Sequence, residues 1–259
     1  MDPGLRFLGE RLARPFGLDL SRKATTRVTT DPARDNFPVW SPDGNQIVFT
    51  SDRSGVGLYL KAYGSTTPEQ LIFPATNFAL ATDWSRDGRT LLFQQSDSNT
   101  KRDLWILPLD GERKAQEFLK TSFLESGGVF SPDARWIAYS SDESGNREVY
   151  VQSYPASGRR WPISNNGSEW PRWGPKGDEL FYLAPDNLLM RVAVKTSPEF
   201  EASVPKPLFH ARGRAPNPFS SEYAVSSTGQ KFLLNRLVEE SGAAPLTVVL
   251  NWTAELKKK

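Results

Sequence analysis

The chain has 259 residues, 38% apolar and 24% charged, with 8 Trp and 15 Phe, which is ample material for a packed core and argues against wholesale disorder. Thirty-two basic and 30 acidic side chains leave a formal charge of +2, without the concentrated basic face that nucleic acid demands. The absence of cysteine excludes disulfides, thiolate catalysis and cysteine–zinc sites, and no run approaches the ~18 apolar residues of a membrane-spanning helix.

Residues 1–14 predict a poorly defined leader: Leu5, Leu8 and Leu12 stand at roughly helical spacing, but Gly4 and Gly9 interrupt them. No basic segment leading into a long apolar one marks a secretory signal. Residues 16–20 and 26–29 read as two strands. Then comes Trp40-Ser41-Pro42-Asp43-Gly44, followed at once by the apolar run Gln46–Thr50. Pro42 presets φ for the first corner of a type I turn, Asp43 suits the second, and Gly44 accepts a positive φ. The flanks therefore predict an antiparallel hairpin.

This hairpin recurs. Trp84-Ser85-Arg86-Asp87-Gly88, Phe130-Ser131-Pro132-Asp133-Ala134, Trp173-Gly174-Pro175-Lys176-Gly177 and Val225-Ser226-Ser227-Thr228-Gly229 each precede an apolar run. The anchors Trp40, Trp84, Phe130, Trp173 and Val225 are 44, 46, 43 and 52 residues apart. A period of about 40–45 with four strand-like runs per unit predicts β-propeller blades. The third run of each unit is residues 58–61, 104–107, 149–152, 188–194 and 246–251, and fourth runs follow at 70–72, 116–119, 160–163 and 207–209. The last long interval is taken up by the Pro- and Ser-rich residues 196–221.

The expectation is an all-β propeller of four-stranded antiparallel blades, six-bladed with an incomplete first blade. It occupies residues 15–256 as a single domain, followed by the basic tail Lys257-Lys258-Lys259. The N-terminal side supplies only a third and a fourth strand, and the C-terminal side lacks a fourth. Residues 26–29 could close the ring, but upstream residues of a longer chain are the preferred account. An unpaired blade edge invites self-association.

The order W-S-P-D-G, apolar strand, S-D, polar loop, (L/V)-(Y/W) resembles the WD-like repeat of TolB-like proteins and the propellers of prolyl-oligopeptidase-type peptidases. Residues 244–252, APLTVVLNW, resemble the closing segment of propellers found C-terminal to bacterial membrane-tethered serine/threonine kinase domains. That resemblance implies a sensor or binding module. It would place the chain outside the cytoplasm if a membrane anchor lies upstream, and in the cytoplasm otherwise. No glycine-rich nucleotide loop, His-Arg-Asp loop or G-x-S-x-G elbow occurs in the sequence.

Other features have structural explanations. Asp43, Asp87 and Asp133 are expected to hold their turns through nearby backbone N–H groups. His210, the single histidine, is expected at the surface or in packing. The oxygen-rich stretches 97–99 and 142–146 lack the acidic ladder of a calcium loop and are expected to be solvated hairpins. Tyr59, Trp105 and Tyr150 recur at one third-strand position and are expected to pack between blades.

The candidate binding residues stand at the starts of the first strands: Asn36, Phe37, Asp83, Glu169, Trp170 and Arg172. Loops converging on a rigid scaffold are where binding usually resides, and Trp and Arg are enriched in interface hot spots. The expected function is a non-enzymatic module engaging a protein or peptide at the channel mouth, with no cofactor, metal, nucleic acid or membrane insertion. The alternative is a sensor or gating propeller split from a kinase or peptidase.

Overall fold

The structure is a computed structural model that describes residues 6–10, 15–19, 24–211, 221, 223–235 and 246–249. It divides into two compact units, Met1–Phe123 and Leu124–Lys259. In the first unit, β1 (Arg6–Glu10), β2 (Pro15–Asp19) and β3 (Ala24–Arg27) form a three-stranded antiparallel sheet. A four-stranded sheet follows, made of β4 (Asp35–Trp40), β5 (Gln46–Ser51), β6 (Gly57–Ala62) and β7 (Gln70–Pro74). Another comprises β8 (Ala79–Trp84), β9 (Thr90–Asp97), β10 (Lys101–Pro108) and β11 (Gln116–Leu119).

The second unit opens with the four-stranded sheet of β12 (Glu125–Phe130), β13 (Trp136–Ser141), β14 (Glu148–Ser153) and β15 (Arg160–Pro162). Next come β16 (Glu169–Trp173), β17 (Glu179–Ala184) and β18 (Leu188–Lys195), with β19 (Glu201–Ala202) and β20 (Lys206–His210) both pairing with β18. The last sheet holds β21 (Tyr223–Val225), β22 (Phe232–Asn235) and β23 (Leu246–Val249).

Two expectations change at the N-terminal side. Part of the presumed leader is strand, because Arg6–Glu10 pairs in full with Pro15–Asp19, so this sheet has three strands instead of two. Ala24–Arg27 pairs with β2. Residues 1–5 and 11–14, the tail 257–259 and the last residues of the closing segment lie outside the described residues.

The turns form as their sequence dictates. The Gly44 N–H donates to the Ser41 carbonyl at 2.9 Å, with Gly44 at φ 70°. Ser41 Oγ donates to Asp43 Oδ1 at 2.5 Å, and Asp43 Oδ1 accepts from the Asn45 N–H at 3.0 Å. Ser85–Asp87 and Ser131–Asp133 repeat this set, with Oγ–Oδ1 distances of 2.6 Å in both. These hydrogen bonds hold the Asp43 carboxyl below its ordinary value, the Ser41 hydroxyl contributing most, and Asp87 likewise through Ser85. The divergent fifth copy keeps the pattern: Gly229 N–H donates to Ser226 O, and Lys231 N–H to Ser226 Oγ.

Apolar runs without polar alternation arise because both faces of these sheets are covered. In β5, Ile47, Val48 and Phe49 are all fully buried. Ile47 and Phe49 face a cluster with Val28 and Tyr59, while Val48 faces one containing Ala79, Trp84, Leu91 and Phe93 of the next sheet. In the second unit Leu180 and Tyr182 pack against β12–β14, and Phe181 packs against Tyr223 and Phe232. Each such side chain contributes about 1.5–3 kcal/mol by leaving water.

The recurring third-strand aromatics stack within their own sheet. Phe49–Tyr59, Phe93–Trp105 and Tyr139–Tyr150 are cross-strand register partners, with ring centroids 6.2, 6.3 and 5.9 Å apart. Directly opposed residues on antiparallel strands bring these rings together, and Tyr59 and Trp105 also pack as expected against neighbouring sheets, Tyr59 in a cluster with Val28 and Trp105 against a cluster holding Val48, Leu58 and Ile72.

Candidate binding cleft at the start of the first strands

The first strand of each four-stranded sheet carries a register shift: Asn36/Val39 in β4, Ala81/Asp83 in β8 and Ser126/Val129 in β12. The first strand of the fourth repeat, β16, has one at Glu169/Arg172. A bulge of this kind re-aims side chains and releases main-chain groups from the ladder. Three of the four place a left-handed residue three positions before the anchor: Phe37 (φ 54°), Gly127 (φ 63°) and Trp170 (φ 60°). For a bulky aromatic this conformation is a true outlier, costing about 1–2 kcal/mol, so the surroundings must enforce it.

At Trp170 the enforcing groups are visible. Its N–H donates to Ser140 Oγ of β13 at 3.3 Å, and its carbonyl accepts from Tyr223 Oη of β21 at 2.8 Å. The two groups freed by the bulge are thus satisfied by side chains from the sheets on either side. Burial raises the Tyr223 hydroxyl well above its ordinary pKa, so it remains a donor at all physiological pH. The indole is 5% exposed and packs with Phe181, Leu183, Leu189 and Phe232, and its Nε1 has no acceptor among the described residues.

Above this residue lies a cleft of about 390 Å³, lined by Arg147, residues 167–170 and residues 183–187. Antiparallel strand order explains its composition: Glu169 at the start of β16 lies opposite Leu183 near the end of β17, so the segment leading into β16 and the β17–β18 hairpin turn come to the same end of one sheet. Both segments are held. Glu148, 4% exposed, accepts the Gly167 N–H at 2.7 Å and bonds the Ser164 hydroxyl, anchoring the loop before β16. The hairpin turn is a 3-10 stretch, Pro185–Asn187, with Asp186 and Asn187 both left-handed at φ 61° and 55°. The Ala211 N–H donates to Asn187 O at 2.7 Å, and His210 Nδ1 lies 3.3 Å from Asp186 O.

Two kinds of surface meet in this cleft. Trp170, Leu183, Ala184 and Pro185 are apolar. Arg147 and Glu169 form an ion pair at 2.8 Å, each side chain 27% exposed. Asp186 is exposed, and its carboxylate has no partner among the described residues.

Of the residues singled out in the sequence, Glu169 and Trp170 come together here. Trp170 is a buried wall instead of an exposed anchor, and Arg172 does not line the cleft; its Nη1 donates to the neighbouring Pro171 carbonyl at 2.9 Å. Asn36, Phe37 and Asp83 belong to the first unit. There Asn36 pairs with Thr50, Phe37 packs edge-on against Phe78 at 5.6 Å, and Asp83 pairs with Leu92. Arg147, Leu183, Asp186 and Asn187 were missed. Pro185-Asp186-Asn187 was the available signal, a proline followed by two residues that tolerate the left-handed region. His210 is an exposed residue beside that turn.

Among the described residues no group of three or more His, Asp or Glu side chains could hold a metal ion, and no helix is long and apolar enough to cross a membrane. Asp97 caps its own hairpin by accepting the Asn99 N–H at 2.8 Å, and Asp142 accepts the Leu124 N–H at 2.8 Å.

No family model matches the chain. A Tol-Pal system protein TolB from Actinobacillus succinogenes is 29% identical over 139 residues, which are 52% of this chain. The chain covers only 30% of that relative's length. Among solved structures, TolB from Acinetobacter baumannii matches with a TM-score of 0.71 at 15% identity, over 95% of this chain and 60% of that one. A putative TolB from Agrobacterium tumefaciens matches with a TM-score of 0.66 at 18% identity, over 79% and 76%. An enzyme, oligogalacturonate lyase from Vibrio parahaemolyticus, also matches, with a TM-score of 0.61 at 14% identity, over 96% and 72%. Fold alone therefore assigns no activity. The regular hairpins, the four-stranded antiparallel sheets and these likenesses together establish that the chain has the β-propeller fold of TolB-like proteins.

Proposed function

We propose that the chain is a non-enzymatic binding module that engages a protein or peptide segment at the end where its first strands begin. The observation that carries this reading is the cleft over Trp170. It combines an apolar wall with a few placed polar groups, the usual make-up of a recognition site, and its two bordering segments are held by Glu148 and by the Ala211 N–H. A pre-formed concavity lowers the ordering cost of association. The likeness to TolB proteins supports a scaffold role, and the candidate residues Asn36, Phe37 and Asp83 occupy the corresponding first-strand positions within the other unit.

The test is direct binding of short extended peptides to the purified chain, compared with a Glu169→Lys variant. That change sets two cations side by side at Arg147 and disrupts one wall of the cleft. Binding should weaken about tenfold, equivalent to about 1.4 kcal/mol. Peptide binding indifferent to this change, or turnover of a substrate by the purified chain, would overturn the reading.

A further inference from the structure

Resting on that reading, we infer that the cleft selects a peptide segment carrying a lysine or arginine, with Asp186 receiving the cation and the Trp170–Leu183 wall receiving the aliphatic stem. The charges decide the sign. Arg147 and Glu169 neutralise each other across 2.8 Å, so the pair offers no net charge to a ligand. Asp186 is left as an exposed carboxylate with no ion-pair or hydrogen-bond partner among the described residues, on a cleft whose apolar wall is Trp170, Leu183, Ala184 and Pro185. A long side chain with an apolar stem and a charged tip matches that juxtaposition. An anionic or purely apolar side chain would meet either repulsion or an unanswered charge.

The backbone supports a fixed position for this carboxylate. Asp186 and Asn187 are consecutive left-handed residues, and the turn is tied back by the Ala211 N–H to Asn187 O and by the His210 ring at Asp186 O. Aspartate and asparagine are the non-glycine residues best suited to this region. Asp186→Asn therefore keeps the turn while removing the charge, which makes it a clean probe.

The experiment measures binding of one extended peptide series to the full chain by calorimetry, with the central residue lysine, arginine, glutamine, leucine or glutamate and both ends blocked. The lysine and arginine peptides should bind about three- to fivefold more tightly than the glutamine peptide, the gain that a largely exposed ion pair supports. Raised salt should shrink that preference. Asp186→Asn should abolish it while leaving the melting temperature unchanged. Equal binding of all peptides, or a preference that survives Asp186→Asn, overturns the assignment of Asp186 and leaves the binding reading standing. No binding of any peptide overturns both.

Discussion

A Cβ built on Gly127 would stand 3.1 Å from Cε3 and 3.3 Å from Cζ3 of Trp170, so the missing side chain of one first strand makes room for the indole of the next. Gly127 is itself left-handed at φ 63°. Gly127→Ala must then bear about 1 kcal/mol of backbone strain and push against a ring whose main chain is pinned on both sides. A loss of about 2 kcal/mol is expected in denaturant unfolding. Unchanged stability would mean that the indole can move aside.

The Tyr223 hydroxyl tests the pinning itself. Tyr223→Phe keeps the ring in the core but leaves the buried Trp170 carbonyl without its 2.8 Å donor. An orphaned buried acceptor costs about 1–3 kcal/mol, and the melting temperature should fall accordingly. If it does not, the left-handed Trp170 is held by packing alone.

Ala134 occupies the position where other copies of the turn have glycine, and it is left-handed at φ 55°. Ala134→Gly should stabilise the chain by about 0.5–1 kcal/mol, the strain relieved less the extra entropy of the unfolded glycine. A lower melting temperature would refute this balance.

Asp87 tests the turn electrostatics. Its folded pKa is depressed below 3.8, chiefly by the Ser85 hydroxyl and then by the Arg89 N–H. A depressed carboxylate contributes stability that is present above the unfolded pKa and lost as pH falls through the folded value. Asp87→Asn should therefore melt lower than the parent at neutral pH, with the gap closing in acid below 3.8.

Asp103 should behave in the opposite sense. Its carboxylate is 1% exposed, with Oδ2 accepting from Thr100 Oγ1 at 2.6 Å and Oδ1 unpartnered. Burial raises its pKa above 3.8, against the lowering effects of Thr100 and Lys120. Here the destabilisation is fully present above the folded pKa and is relieved as pH falls towards the unfolded one. Asp103→Asn, which can still accept from Thr100, should melt higher than the parent at neutral pH and lose that advantage in acid. A variant that melts lower at neutral pH would show that the charge is compensated.

The repeat could be read from residues alone because its turns are closed by near neighbours. Ser41, Asp43 and Gln46 complete one hydrogen-bond set within six residues, and Ser85–Thr90 and Ser131–Trp136 do the same. Such local chemistry needs no partner from elsewhere in the chain, so turn, hairpin and period followed from it, and with them the propeller. Arg6–Glu10 shows where local reading stops: its five residues, with one leucine followed by a glycine, have no decisive periodicity, and only pairing with β2 makes it a strand.

What tertiary structure decided was which residues meet at the ends of the strands. Glu169 was picked out by position, but its partner Arg147 lies 22 residues earlier, beyond any local rule. Trp170 reads in sequence either as an aromatic available to a ligand or as a cap on its own blade. Its left-handed bulge, held by Ser140 and by Tyr223 53 residues away, turns it into the core. The composition of each hairpin is local, whereas the cleft depends on long-range hydrogen bonds and packing between sheets, and no window of sequence contains them.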